Sequence, residues 1–232
     1  MSAKETVRRY SMFLVGAMIC ATGIAFITRA GLGTSPVSSI PFVLSLLTDQ
    51  KWMGTFTFLF NMLFLVLEAM LTRRFTWTQA LQIPATLLFS VCINVAMALI
   101  PTRYGGPWLH SAVYLVLGCF IMALGIALEV MADVIMLPAE AFVRALSQTI
   151  RREFGNVKVC FDSALTLLAA ALALVGLGKL NGVREGTLVS ALAVGQIVKL
   201  YTRHLGWLKD LWLGRDSLPA AERMERGETT HG

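Results

Sequence analysis

The feature that most constrains this chain is a series of six long apolar stretches, separated by short polar or charged segments. A bilayer core about 30 Å thick is crossed by roughly 20 apolar helical residues, since each residue adds about 1.5 Å to a helix. The stretches therefore predict an all-α, polytopic membrane protein with six transmembrane helices. The predicted spans are 11–30, 54–71, 78–100, 111–131, 159–178 and 185–203.

Composition supports the membrane class and weakens other classes. Hydrophobic residues make up 56% of the chain and charged residues 15%, whereas soluble domains carry about 25% charged residues. The net charge of +6 does not indicate nucleic-acid binding, because no basic stripe with interleaved aromatic residues is present. The four cysteines lie in apolar runs without CxxC spacing, so we expect no disulfide framework, no metal site and no cofactor.

The basic residues predict the orientation of the chain. With the N-terminus in the cytoplasm, most Lys and Arg residues between spans fall on the cytoplasmic side, as the positive-inside rule requires. These are Lys4, Arg8, Arg9, Arg73, Arg74, Arg144, Arg151, Arg152, Lys158, Arg203, Lys209 and Arg215. We therefore expect both termini on the cytoplasmic side of a bacterial inner membrane. The polar residues 206–232 are predicted to form an interfacial and disordered cytoplasmic tail.

The chain resembles itself when it is shifted by 102 positions, from the first span through the short helix that follows it, and by 101 positions from Gly54 onward. Shared apolar composition explains aligned Leu and Ala residues, but it does not explain aligned glycines and prolines in register. The most informative pairs are Gly16 with Gly118, Gly23 with Gly125, Pro36 with Pro138, and Asn61 with Asp162. The third helices of the two halves match weakly, with Asn94 against Gln196 as their suggestive pair. The sequence thus predicts repeats over 1–105 and 106–205, followed by the tail.

Each predicted repeat contains three spans. Because three is odd, the second repeat enters the membrane from the opposite side, and the two repeats are inverted about an axis in the membrane plane. Inverted repeats recur among secondary transporters, although they do not prove transport.

A proline-containing break follows the first span of each repeat. The first is GLGTSP, with Gly31, Gly33 and Pro36, and the second is ADVIMLP, which ends at Pro138. Each proline begins a short predicted helix, 36–48 or 138–150, at a position where its missing N–H costs nothing. Neither helix is long enough to span, so each is either re-entrant or interfacial.

These segments resemble the YczE/YyaS/YitT-type family of bacterial integral membrane proteins, which is largely uncharacterised. The resemblance rests on GLGTSP, on the stretch from Gly54 to Asn61, and on the G-x-x-K-x-x-F-D stretch from Gly155 to Asp162. It covers roughly residues 11–205. The resemblance implies an inner-membrane protein with a transport role, and it supplies no substrate and no established site residues.

Polar residues inside or beside the spans are the candidates for function, since they are costly in lipid. The candidates for substrate binding are Thr34, Ser35, Asn61, Asn94, Asp162 and Gln196. The charged candidates for coupling are Arg29, Glu129 and Asp133. Each also has a structural interpretation, as interhelical hydrogen bonding, snorkelling or a solvated helix end.

Two functions follow from these features. The first is a small secondary transporter, or permease, with a site for a small molecule or an ion between the repeats. The second is a membrane scaffold or regulatory partner that transports nothing. An enzyme is the weakest reading, because no nucleophile–base pair or metal ligand set appears. We expect no nucleic-acid partner, and a homodimer stays open.

Overall fold

The computed structural model describes residues 3–48, 52–101, 108–152, 154–180, 184–205 and Trp212. The described residues form eight α-helices joined by short connections. They are α1 (Ala3–Arg29), α2 (Pro36–Leu47), α3 (Met53–Thr72), α4 (Trp77–Leu99), α5 (Trp108–Ala132), α6 (Pro138–Ile150), α7 (Phe154–Leu177) and α8 (Glu185–His204). The all-helical prediction is confirmed for this part of the chain.

Five of the described helices, α1, α3, α4, α5 and α7, are long and apolar enough to cross a membrane. The chain is therefore a multi-pass helical membrane protein. Helix α8, the sixth predicted span, has 20 residues but is not among the five. Its mean hydropathy is lowered by polar and charged side chains such as Gln196, Lys199 and Arg203.

The two short helices begin at the predicted prolines, which occupy the first helical turn. Helix α2 is largely buried and packs against α3 and α7. Helix α6 buries one face against α3 and α7 and leaves Arg144 and Gln148 exposed. Helix α1 starts eight residues earlier than predicted, where Arg9 forms a 3.0 Å ion pair with Glu5 one turn before it.

The centre of the fold is the crossing of α1 and α5, which is the most extensive helix contact described. Four glycines allow the two backbones to approach. A Cβ atom on Gly23 would lie 2.3 Å from the Met122 nitrogen, and one on Gly125 would lie 2.4 Å from the Cys20 nitrogen. Gly16 lies against Gly125, and Gly118 lies against Gly23, so the two helices run antiparallel.

The other helix contacts come mostly in matched pairs. Helix α1 packs on α4 as α5 packs on α8, α2 packs on α7 as α6 packs on α3, and α2 meets α3 as α6 meets α7. The extensive α3–α4 contact has no α7–α8 counterpart of similar extent in the described chain. Exchanging the two halves thus reproduces most of the packing.

Helix α8 runs beside the central pair from one end to the other. At one end, the Gly186 amide donates a 2.7 Å hydrogen bond to the carbonyl of Leu32, just beyond α1. At the other end, Tyr201 packs in the hydrophobic cluster that contains Met12. The predicted tail lies outside the described residues except for Trp212, whose indole donates a 3.2 Å hydrogen bond to the Ser11 hydroxyl.

Candidate functional site

A central cavity of about 320 Å³ lies between the two halves, and all eight helices contribute to its wall. Both proline breaks border it, since Ser35 and Pro36 come from the first and Leu137 from the second. Its polar lining residues are Ser35, Ser38, Thr57, Asn61, Glu129, Glu140, Lys158, Asp162 and Ser190. The cavity therefore combines residues that are far apart in the sequence.

A second cavity, which we call the acidic cavity, has a volume of about 370 Å³ and lies where α3 and α5 end and α4 and α6 begin. Four carboxylates and one arginine line it: Glu68, Glu129, Asp133, Glu140 and Arg144. Glu129 and Glu140 line both the acidic and the central cavity. These two carboxylates thus stand at the boundary between the two spaces.

Glu129 is the most deeply buried of these carboxylates. Only 7% of the residue is exposed, and its Oε1 atom has no hydrogen-bond partner among the described residues. The missing side chain of Gly16 makes room for it, because a Cβ atom there would lie 3.1 Å from the Glu129 Cγ. A buried carboxylate without a partner is costly in a membrane and marks a candidate functional group.

Asp162 is held differently. It lies two turns inside α7, because this helix begins at Phe154, before the start of the predicted span 159–178. Its Oδ1 accepts a 3.1 Å hydrogen bond from the Lys158 ammonium, one turn earlier. The two charges therefore compensate each other within the cavity wall.

The first break is docked on the start of α8. The Thr34 amide donates to the Thr187 hydroxyl at 3.2 Å, and the Ser190 hydroxyl donates to the Thr34 carbonyl at 3.5 Å. Gly33 has φ of +119°, and a Cβ atom there would lie 2.4 Å from the Thr187 Oγ1. Glycine is required at this position by both its backbone angle and the close approach of α8.

The second break has a similar backbone turn but a different environment. Asp133 has φ of +48°, matching the +74° of Gly31 at the corresponding position, and Asp tolerates this left-handed conformation better than most residues. Among the described residues, no hydrogen bond joins residues 133–137 to α4. Buried polar atoms of Gln82, Thr86 and Ser90 on that helix have no hydrogen-bond partner there.

The residues predicted for the site are only partly brought together. Ser35, Asn61 and Asp162 line the central cavity with Glu129. Asp133 is exposed at the acidic cavity.

The other predicted site residues lie elsewhere. Thr34 takes part in the docking on α8, and Arg29 donates to the carbonyl of Met97. Asn94 accepts a 2.7 Å hydrogen bond from the Gly54 amide, which fixes α4 against α3. Gln196 is exposed on α8. Asn94 and Gln196 therefore lie outside the wall of the central cavity.

Sequence reasoning missed Glu140 and Gln82. Glu140 lies on the polar face of the short helix 138–150, which in sequence looks like a solvated face, although its place in the first turn after a proline break was an available signal. Gln82 is one of several polar residues in α4, and nothing in the sequence alone sets it apart. In the described part of the chain, no group of three or more His, Cys, Asp or Glu residues is arranged to hold a metal ion.

Comparison with known families gives a classification without a function. The sequence model of one family matches residues 7–203, which is most of the chain. The chain belongs to the DUF6198 family. DUF6198 is a family of unknown function. The YczE/YyaS/YitT name finds no support in this match, whereas membership of an uncharacterised family agrees with the resemblance. No curated protein and no solved structure matches the chain.

Proposed function

We propose that this DUF6198 protein is a secondary transporter built from two inverted repeats, with its substrate site in the central cavity. Six spans, including α8, follow from this arrangement, with both termini on the cytoplasmic side of the inner membrane. The proposal assigns no catalytic role to the chain.

Three features support the repeat. When the two halves are exchanged, the contact of Gly16 with Gly125 becomes the contact of Gly118 with Gly23. Most of the helix contacts correspond in the same way. The left-handed residues Gly31 and Asp133 occupy corresponding positions in the two breaks. Helix α8 also packs extensively on α5, which is long and apolar enough to cross a membrane, and this supports its role as the sixth span.

The burial pattern supports an alignment of α4 with α8 at a shift of 101 residues, in which Thr86 corresponds to Thr187. In both helices the threonine is buried, the next two residues are exposed and the third, Phe89 or Ser190, is buried again. This replaces the pairing of Asn94 with Gln196, and the Thr86 hydroxyl, which has no partner among the described residues, then corresponds to the hydrogen-bonded Thr187.

The observation that carries the proposal is the unequal state of the two breaks around one cavity. The first break is hydrogen-bonded to Thr187, whereas the corresponding Thr86 hydroxyl is buried without a partner in the described chain. In transporters with inverted repeats, access alternates as one repeat rocks or gates against the other around a fixed site. We therefore propose a second state in which residues 133–137 dock on α4 while the first break leaves α8.

Uptake into proteoliposomes tests the proposal. Reconstituted protein is offered a total metabolite extract from cells grown on isotopically labelled glucose, and the lumen is analysed by mass spectrometry. We expect at least one metabolite to accumulate above protein-free liposomes, and this uptake to be lost with Asn61→Leu. Gln196→Leu makes the same chemical change outside the cavity and is expected to retain uptake. No accumulation by the wild type would contradict transport and favour the scaffold alternative.

A further inference from the structure

We infer that the central cavity binds a small organic cation, with a protonated amine placed against Glu129 in exchange for the proton that this carboxyl otherwise carries. The inference deepens the proposed transport function by naming the substrate class of the same cavity. It rests on that function only for the statement that the cation is carried across the membrane. The binding site itself follows from the charges, the burial and the shape of the cavity.

The charge balance of the central cavity is negative. Three carboxylates line it, from Glu129, Glu140 and Asp162, with one cation from Lys158. Lys158 is paired with Asp162 at 3.1 Å, so neither basic nor acidic charge is left over from that pair. Glu129 and Glu140 remain without an ion-pair partner in the described chain. When Glu129 gives up its proton, a cation in this space therefore faces an excess of negative charge.

The acidic cavity extends the same imbalance. Its four carboxylates face one arginine, Arg144, which is exposed and whose described polar contact is a 3.7 Å approach to the Met136 sulfur. A path through this cavity to Glu129 is thus lined mainly by negative groups. Such a path concentrates cations and repels anions.

The unsatisfied oxygen of Glu129 provides an independent indication of a ligand. The residue is 7% exposed, lines both cavities, and leaves Oε1 without a partner among the described residues. A buried carboxylate must be neutralised by a proton or by a cation, because an isolated buried charge costs many kcal/mol. An ammonium group supplies both the opposite charge and hydrogen-bond donors for this oxygen.

Helix dipoles do not reverse this preference. The N-termini of α2 and α6 border the cavity, and each contributes a partial positive charge of about half an elementary charge. Glu140 lies in the first turn of α6 and offsets the dipole of that helix with a full negative charge. The remaining half charge at α2 does not balance the full negative charge that Glu129 carries after it releases its proton.

The rest of the wall suits an apolar remainder of the ligand. Ile24, Phe89, Met122 and Ile126 also line the cavity and give it an apolar surface. The volume of about 320 Å³ lies at the lower end of ligand pockets, which measure about 300–1,000 Å³. Phe89 also offers an aromatic ring to a cation. A compact amine with one apolar group therefore fits the site better than a large or fully polar molecule.

The exchange with a proton is balanced in charge. The cation enters as the ammonium form, the Glu129 carboxyl releases its proton to water, and the bound pair carries the same net charge as the protonated carboxyl. The ionisable side chains that face Glu129 across the two cavities belong to α1, α3, α6 and α7. Asp133 comes directly after α5, the helix that carries Glu129. They are Cys20, Glu68, Glu140, Arg144, Lys158 and Asp162.

The test uses three probes that share one ring and differ in charge: benzylammonium, benzyl alcohol and benzoate. Binding to the full-length protein in lipid nanodiscs is measured by isothermal titration calorimetry in buffers of different ionisation enthalpy, which also counts released protons. We expect benzylammonium to bind with release of about one proton, and the other two probes not to bind. Glu129→Gln is expected to raise the Kd at least tenfold and to abolish proton release. Glu185→Gln, an exposed residue at the start of α8, is expected to leave both unchanged.

The outcomes separate this inference from the proposed function. Equal binding of benzyl alcohol, absence of binding by benzylammonium, or unchanged proton release in Glu129→Gln would overturn the cation site even if the metabolite screen detects uptake. Conversely, specific benzylammonium binding without uptake of any metabolite would keep the cation site and contradict transport. Loss of folding in Glu129→Gln is detected by size-exclusion chromatography, and Glu129→Asp, which keeps the charge, is then expected to retain binding and proton release.

Discussion

Alanine substitution of the glycines in the α1–α5 crossing tests the repeat most quantitatively. In Gly23→Ala the new Cβ would lie 2.3 Å from the Met122 nitrogen, and in Gly125→Ala it would lie 2.4 Å from the Cys20 nitrogen. Ordinary heavy-atom contacts are about 3.5 Å or longer, so the helices must separate by about 1 Å in either variant. Because the obstacle is backbone, no side-chain rotation relieves it.

The cost of this separation is large for a single methyl group. Overpacking a core costs about 1–3 kcal/mol, and a backbone obstacle places these two variants near about 3 kcal/mol. For a chain of this size, that corresponds to a fall in melting temperature of roughly 6–12 °C. The measurement is a thermal-stability series in detergent, read by fluorescence-detected size-exclusion chromatography.

The other two glycines and a control complete the series. In Gly118→Ala the new Cβ would lie 2.7 Å from the Ile27 Cγ1 and 2.8 Å from the Ile27 nitrogen, and in Gly16→Ala it would lie 2.9 Å from the Gly125 carbonyl oxygen. These approaches are less close than those at Gly23 and Gly125, so we expect smaller losses of about 1 kcal/mol. Gly195→Ala meets nothing within 4 Å and is expected to be neutral or stabilising. Unchanged melting temperatures for Gly23→Ala and Gly125→Ala, or a loss in one of them alone, would refute the symmetric crossing.

Three further predictions concern the connections around the site. Asn94→Leu removes the acceptor of the Gly54 amide and is expected to cost about 1 kcal/mol of stability in the same assay. Asn94→Asp keeps the acceptor and is expected to lose less; equal losses would contradict a stabilising role for this hydrogen bond. Gly33→Ala is expected to push the first break off α8 and raise hydrogen exchange in residues 31–38 but not in 138–150, and unchanged exchange would argue against the docking. Alkaline phosphatase fusions after Leu180 and after Leu205 are expected to be active and inactive, respectively, whereas two active fusions would exclude α8 as a span.

Much of the helix plan could be predicted from the sequence, because apolar length and proline position act locally. Both short helices begin at Pro36 and Pro138 as predicted, and α3, α4 and α5 match their predicted bounds within a few residues. The internal comparison also selected the glycines at the α1–α5 crossing. A glycine can be recognised in register because nothing else substitutes for the missing side chain at a close helix approach.

The direction in which a polar side chain points could not be predicted in the same way. Asn94 and Gln196 were paired by sequence, but Asn94 bonds to Gly54 and Gln196 is exposed. Helices in a membrane protein are apolar on most faces, so periodicity does not reveal which face meets the protein interior. Glu140 was missed for the related reason that a charged face is normally solvated, and only the tertiary fold turns it towards a cavity.

Distance measurements across both ends of the cavity test the central claim most directly. Spin labels at Thr78 and Gln148 straddle the acidic cavity. In the other half, Lys179 corresponds to Thr78 and Leu47 lies next to the position that corresponds to Gln148; all four residues are exposed. Double electron–electron resonance is recorded in liposomes on a cysteine-free background, with and without benzylammonium and at low and high pH.

The account predicts two distance populations for each pair, whose proportions change in opposite directions, so that one end closes as the other opens. A single distance for each pair, unaffected by ligand and pH, would contradict alternating access and leave the central cavity as a static feature of the fold.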